Sequence, residues 1–389
     1  MSDLLVRARI GLVRLGFAIG ARQALRRRVV LATGHSATIG GNLAAIRDAL
    51  IAAMPDVEVV EFAHRPGGGL RGKLVGAWHA LHGGYLLATS RLIVVDDYFF
   101  PIYAIRPRRR TTIVQVWHAS GAFKKFGYSL AGKTFGADAA VLRHVRIHAN
   151  YHRCLVSSAS VIPHYAEAFG LPSERFTSAI GVPRTDPLLD TGWRDRTAAE
   201  VRARYRLPPG RRVILYAPTF RGERTTEARF ADELDLGLLA RELGTDHVLL
   251  LRLHPFIRSR VDIGPELDGF VIDASDHPDI HALMLASDVL VTDYSSAIFE
   301  FSLLERPMAF FAPDHDAYQR ERGFYLDYGP DLPGPVFETT EALAGWLRAG
   351  TFDVDRVRAF RDASFDVADG RASERFVEQI ARPALEGEA

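Results

Sequence analysis

Apolar runs of four to seven residues recur along the chain, and most of them stop at a polar corner before an apolar pattern of helical spacing resumes. The first series reads as strands at Val29–Ala32, Val57–Phe62, Leu92–Val95, Ile113–Trp117 and Cys154–Ser157. A polar turn, Thr33–Asn42, and an amphipathic helix over Leu43–Ala53 follow the first strand. A second series opens after Leu207-Pro-Pro-Gly210, with strands at Val213–Tyr216, His247–Leu253, Phe270–Ile272, Val289–Thr292 and Met308–Phe311. Helices are expected at Ala231–Leu243, Asp279–Ala286, Ser296–Leu304 and in the C-terminal region. Alternation at this spacing predicts an α/β fold, with mostly parallel sheets covered on both faces. Core pattern gives way around 187–208, so the expected units are 29–190 and 200–389, preceded by a basic segment, 1–28.

That segment, placed at ~100° per residue over positions 4–25, gathers Arg7, Arg14 and Arg22 on one arc and fills much of the rest with apolar residues; Arg9 breaks the apolar face. Seven arginines against one acid, Asp3, suit a helix lying on an anionic membrane surface; a helix packed on its own unit with a solvated basic edge is the plain alternative. The rest of the composition is ordinary for a globular chain of 389 residues: 48% hydrophobic, 24% charged, net charge +1. Such a balance gives no reason to expect nucleic acid as a partner. One cysteine, Cys154, excludes an internal disulfide and a Cys-based zinc cluster and suits a cytoplasmic setting. No apolar run reaches the ~18 residues of a membrane span.

In parallel α/β sheets ligands bind beyond the carboxyl ends of strands. The residues there are Gly34 and His35, Asp96 and Asp97, Trp117 and His118, Pro218–Arg221, Arg252–Pro255 and Asp293–Ser296. His118, followed by Gly121 and Lys124, has the parts for taking a proton from a hydroxyl beside a cation that offsets phosphate charge. Arg221 and Arg252 add guanidinium groups suited to phosphate oxygens, and strand alternation aims Arg252 and His254 the same way. The corner Asp293-Tyr-Ser-Ser296 ends a buried strand and starts a helix, an anion-binding arrangement in which Ser295 or Ser296 is the expected N-cap. Glu300 lies four residues on, placed for ribose hydroxyls or simply for solvent. Asp96-Asp97 makes a weak metal pair because neighbouring strand residues face opposite ways, and His144, His148 and His152 are broken up by Asn150-Tyr151; no metal and no cofactor is expected.

Taken together, Gln115-x-Trp-His118 with Lys124 and Gly127, Gly181-x-Pro-Arg-x-Asp186, Tyr216-Ala-Pro-Thr-Phe-Arg221, Arg252-x-His-Pro255 and Thr292-Asp-Tyr-Ser-Ser296 with Phe299-Glu300 resemble the CDP-glycerol glycerophosphotransferase family of teichoic-acid and capsule assembly. The resemblance runs in order from about Gly34 to Tyr328. It implies a GT-B-like fold, two facing Rossmann-like domains with the site between them, and attachment to the cytoplasmic face of the membrane. It implies transfer of glycerol phosphate from CDP-glycerol, or ribitol phosphate from CDP-ribitol, to a hydroxyl of a lipid-linked or polymer acceptor, with release of CMP. On this reading His118 is the general base, and His254 and Arg252 stabilise the diphosphate. Thr219, Arg221, Asp293, Tyr294, Ser295, Ser296 and Glu300 bind the donor, while Gly34, Asn42, Trp117 and Lys124 lie on the acceptor side. The chain departs from the family between His118 and Lys124, where Ala119-Ser-Gly-Ala-Phe stands in place of the usual glycine, proline and leucine. A GT-B glycosyltransferase using a nucleotide sugar and a non-catalytic, membrane-docked nucleotide-binding protein are the competing readings.

Overall fold

The computed structural model describes residues 2–64, 67–130, 138–222, 229–230, 233–255, 257 and 263–387. The first sheet holds β1 (Arg26–Thr33), β2 (Glu58–Ala63), β3 (Ser90–Val95), β4 (Thr112–Gln115), β5 (Arg153–Leu155) and β6 (Phe176–Thr177), in the order β2-β1-β3-β4-β5-β6. The second holds β7 (Arg212–Tyr216), β8 (His247–Leu251), β9 (Val271–Asp273), β10 (Val289–Thr292), β11 (Met308–Phe311) and β12 (Val336–Phe337), in the order β12-β11-β10-β7-β8-β9. All neighbouring strands are parallel. Strands such as β8 and β10 are buried at every position, which explains their unbroken apolar sequence.

Strand order reverses at one place in each sheet. In the first the chain steps outward from β1 to β2 and returns on the other side to β3; in the second the reversal falls between β7 and β10. Loops leaving the two central strands at such a point diverge and open a crevice. His35 and Asp96–Asp97 follow β1 and β3, and Thr219–Arg221 and Asp293–Ser296 follow β7 and β10, so four of the six polar clusters stand at a reversal; Trp117–His118 and Arg252–Pro255 follow the neighbouring strands β4 and β8.

Three helices position the first sheet: α1 (Asp3–Gly20), α2 (Gly41–Ala53) and α3 (Gly69–Thr89). Helix α1 packs along α3 through Val6, Ile10 and Val13, all buried. Each such side chain contributes roughly 1.5–3 kcal/mol. The backbones nearly touch: a Cβ on Gly16 would lie 1.8 Å from the Leu81 carbonyl oxygen, and one on Gly84 would lie 2.0 Å from that of Val13. The helix ends at Gly20, so Arg22 is not on it, and its other face leaves Leu4, Leu5, Leu15 and Ile19 exposed beside Leu70, Leu74, Val75 and Trp78 of α3. Among the described residues, no helix is long and apolar enough to cross a membrane.

The junction differs from expectation. The tract around 187–208 is mostly a helix, Thr191–Arg204, and residues at the end of the chain leave the second unit. The helical stretch Ala372–Phe376, Val377–Ala381 and Arg382–Glu386 packs Phe376, Ile380 and Leu385 with Leu31, Leu43 and Leu92 on the first sheet. The polypeptide therefore passes between units twice, and the Asp186 carboxylate fastens the crossings by accepting from the N–H groups of Ala372 and Ser373. The expected helix start at Ala231 lies outside the described residues; the helix there runs Leu236–Leu243.

Candidate active site

At the first reversal four polar residues meet. His118 leaves β4 after Trp117, whose left-handed backbone (φ 50°) turns the chain and stacks its indole on the His118 ring at 4.5 Å. Asn42 holds this turn from below. Its amide nitrogen donates to the carbonyls of Val116 and Trp117, both at 2.9 Å, and its amide oxygen accepts from Arg184 N–H. Asn42, expected on the acceptor side, is a buried strut of this turn. Gly34 is a close-approach residue, since a Cβ there would lie 2.6 Å from the Tyr98 carbonyl oxygen.

The His118 Nδ1 lies 3.1 Å from the Asp96 carbonyl and 4.0 Å from the Asp97 carboxylate. A carbonyl only accepts, so Nδ1 carries the proton and Nε2 keeps the lone pair. With its side chain 45% exposed, the ring can take a proton from a bound hydroxyl. Its neighbour His35, with ring centroids 5.8 Å apart, lies 3.2 Å from Asp97 and 3.9 Å from Asp96. The hydrogen bond to Asp97, followed by the charges of both carboxylates, outweighs burial and raises the His35 pKa. Asp96 is raised, chiefly by burial; Asp97 is lowered because His35, His118 and the Tyr98 N–H together outweigh its burial. Strand alternation failed for this pair because β3 ends at Val95, leaving both acids free to turn to the histidines. His35 and the two acids were visible as strand-exit residues, but their partnership required the fold.

The second reversal is a closed frame. Asp293 accepts from the Thr219 N–H (2.8 Å), the Thr219 hydroxyl (3.0 Å) and Arg221 Nη1 (2.9 Å), while Arg221 Nε and Nη2 donate to Asp314 at 2.6 and 3.0 Å. The Tyr294 hydroxyl also donates to Asp314, and its ring stacks on Tyr318 at 3.9 Å. Burial disfavours the Arg221 charge, but Asp314 and Asp293 more than offset it. Thr219, Arg221, Asp293 and Tyr294, expected as donor ligands, also brace the corner against one another, together with Asp314 from far along the chain. Arg252 is likewise occupied: with β8 ending at Leu251, no alternation pairs it with His254, and its Nη1 donates to the carbonyls of Leu253 and Ser275.

Ser295 and Ser296 remain half-buried at the corner. The Ser295 hydroxyl accepts from Ala297 N–H at 3.2 Å, whereas Ser296, at the cap position, has helical backbone angles and no capping bond. The helix that follows, Ala297–Ser302, is shorter than the expected Ser296–Leu304. His254 packs 4.9 Å from the Phe220 ring, and its pKa is pushed down to about 4, first by burial and then by Lys124, Arg252 and Arg322. Three cations thus converge electrostatically on one neutral imidazole.

Contacts between units run through residues the sequence assigned elsewhere. Lys124 reaches the second unit, with Nζ 3.3 Å from the Tyr318 hydroxyl. Glu300 is buried, accepting from the Ser120 hydroxyl at 2.8 Å with Arg184 Nε 3.5 Å away, which sets aside the plain alternative of a solvent-exposed glutamate. Arg184 donates to the His118 carbonyl and to His281 Nε2, so it ties the Trp117–His118 turn to the second unit. Of the spaced histidines, His148 is buried against Phe169 (4.0 Å) and His152 accepts from Ile113 N–H; among the described residues no group of three potential metal ligands forms.

Residues 18–382 match the family model described as CDP-glycerol:poly(glycerophosphate) glycerophosphotransferase. A teichoic acid ribitol-phosphate primase of Bacillus spizizenii is 36% identical over 355 residues, spanning 91% of this chain and 90% of that one. A teichoic acid poly(ribitol-phosphate) polymerase of the same organism is 40% identical over 303 residues, 78% of this chain but only 48% of the polymerase. The chain thus spans nearly all of the primase and about half of the polymerase. A solved structure of a variant of the wall teichoic acid polymerase TagF, soaked with CDPG, superposes with a TM-score of 0.78 at 25% identity, covering all of this chain and 96% of that one. The two facing parallel sheets are accordingly a GT-B-like fold, and the chain belongs to the CDP-glycerol:poly(glycerophosphate) glycerophosphotransferase family.

Proposed function

We propose that this enzyme transfers glycerol phosphate or ribitol phosphate from a CDP-polyol to an acceptor hydroxyl and releases CMP. The observation that carries the reading is the pairing of His118, with its Nε2 lone pair free, and His254 beyond β8, whose pKa is depressed first by burial and then by Lys124, Arg252 and Arg322. The acceptor oxygen attacks the phosphorus bearing the polyol while His118 Nε2 takes its proton. The bond from that phosphorus to the bridging oxygen breaks, and CMP leaves with the electron pair. An anionic diphosphate beside His254 offsets the three cations and raises the imidazole's proton affinity, so binding itself supplies a donor to the departing phosphate. Ser295 and Ser296 hold the diphosphate oxygens. The two ribitol-phosphate relatives support ribitol as strongly as the family description supports glycerol.

CMP release measured with CDP-glycerol and CDP-ribitol, each with a short glycerophosphate acceptor, tests the reaction. Turnover with at least one is expected; no CMP from either sinks the reading, and release of UDP from a UDP-sugar would replace it with glycosyl transfer. We also propose that the exposed apolar edge of α1 and α3 rests on the cytoplasmic face of the membrane, with Arg7 among the lipid headgroups. Deleting 1–28 would remove buried Val6, Ile10 and Val13 and the start of β1. The suitable variant is therefore Leu4, Leu5, Leu15 and Ile19 replaced by serine. It should lose recovery with anionic vesicles while keeping turnover on the short acceptor; unchanged recovery removes the membrane claim.

A further inference from the structure

Helix α1 carries one arginine that points neither to solvent nor to an acid. The Arg9 guanidinium lies 4.2 Å over the Phe100 ring, and among the described residues it makes no hydrogen bond or ion pair. Two cavities meet at it. The inner one, about 370 Å³, is lined by Thr33, Gly34, Tyr98, Phe100, His64 and His79, and so begins where β1 delivers His35 and where Tyr98 packs 5.7 Å from Trp117. The outer one, about 310 Å³, runs between α1 and α3 past Leu5, Ala8, Leu12, Gly72, Lys73 and Gly76, and it shares Arg9 and His64 with the inner one. His64 and His79 stack at 4.0 Å, and the His79 Nδ1 is buried without a partner. The carboxylate on the inner wall, Asp138, accepts from Ala140 N–H.

Adjoining at Arg9 and His64, the two cavities outline a passage whose chemistry changes along it: mostly apolar walls outside, a cation at the waist, and an inner chamber lined by Thr33, Tyr98, His64 and His79. An unpaired guanidinium in a half-buried passage is complementary to a phosphate oxygen pair. The outer groove adjoins the exposed leucines of α1 and α3, so its apolar occupant can continue into the same surface. We propose that this passage binds the acceptor as a phosphate-bearing amphiphile, its hydrocarbon tail between α1 and α3, its phosphate on Arg9 with Lys73 at the entrance, and its hydroxyl-bearing head in the inner chamber facing His35 and His118. The proposal rests on the phosphotransfer reading for the identity of the head group, but its binding chemistry stands apart from turnover.

The test is therefore a binding measurement on the full chain, with dodecyl phosphate below its micellar concentration as probe and inorganic phosphate and dodecyl maltoside as controls. Dodecyl phosphate should bind at least about tenfold more tightly than either control, and Arg9→Gln should abolish that advantage, as loss of a charge-assisted pair requires. CDP-polyol binding should be unchanged in the variant. Gly76→Phe supplies an independent variant, because a Cβ at Gly76 meets nothing within 4 Å: it fills the outer groove without disturbing the fold and should weaken the probe while sparing CDP-polyol. Equal binding of inorganic phosphate would reduce the site to a plain anion site, and equal binding of dodecyl maltoside to a plain apolar groove. Either result, or unchanged probe affinity in both variants, overturns the proposal. Failure of CMP release with intact dodecyl phosphate binding would instead sink the reaction and leave the passage.

Discussion

The two strand-order reversals are built alike and furnished differently. At the first, two histidines share two carboxylates and a carbonyl, and both imidazoles remain 45% exposed. At the second, Arg221 is locked between Asp293 and Asp314, with its side chain 12% exposed. Protons can exchange in the first arrangement because both imidazoles touch solvent and lie beside carboxylates. In the second they do not, since one guanidinium is held by hydrogen bonds to two carboxylates at once. A transfer enzyme needs both: one edge that changes protonation state and one that keeps its shape while a diphosphate comes and goes.

His118→Ala should break the contrast most severely. Removing the proton acceptor is expected to lower turnover by roughly 10²–10⁴-fold. CDP-polyol affinity should stay within about twofold, read by CMP release alongside donor titration. Comparable losses in both quantities would place His118 in the donor pocket. Arg221→Ala should act through the fold: Asp293 is left buried without its cation, at a cost of about 3–5 kcal/mol in denaturant unfolding. Arg221→Lys should fail to restore the loss, since one ammonium does not span two carboxylates. A stable Arg221→Ala enzyme with ordinary donor binding would mean that the frame is dispensable.

A smaller effect sharpens the picture beneath the first edge. Burial pushes the His148 pKa down to about 3, so between there and the ordinary histidine value near 6.5 the unfolded chain binds a proton that the native chain refuses. Stability contributed by the neutral ring is complete above about pH 6.5 and falls on acidification, by about 3 kcal/mol near pH 4. His148→Phe should flatten that acid limb in pH-dependent unfolding; an unchanged slope would assign acid sensitivity elsewhere. Smallest of all, Asp97→Asn should bring the raised His35 pKa back toward its ordinary value in an NMR titration. Because His35 is well exposed, little stability should be lost.

Legibility from sequence followed burial. Strands β10 and β11 agree with expectation at both ends because a short strand covered on both faces has an unbroken apolar sequence. The two-residue edge strands β6 and β12 are too short to show any pattern. Helix α3 has no sharp sequence signature because Gly72, Gly76, Gly83 and Gly84, the last making room for α1, carry almost no hydrophobic signal. In the site, His118 and His254 are legible as candidates through motifs on strand exits. The roles of Arg221, Asn42 and Glu300 are not, because a polar side chain advertises its chemistry but not its partner. Partners such as Asp314 or Arg184 lie 93 or 142 residues away and are brought together only by the sheets.

The double passage of the chain between units has a mechanical consequence. A single tether permits two bodies to swivel in any direction; two crossings, clipped together by Asp186, must both bend for either unit to turn on the other. Like a door on two pins, the pair of crossings keeps the two strand-order reversals in register.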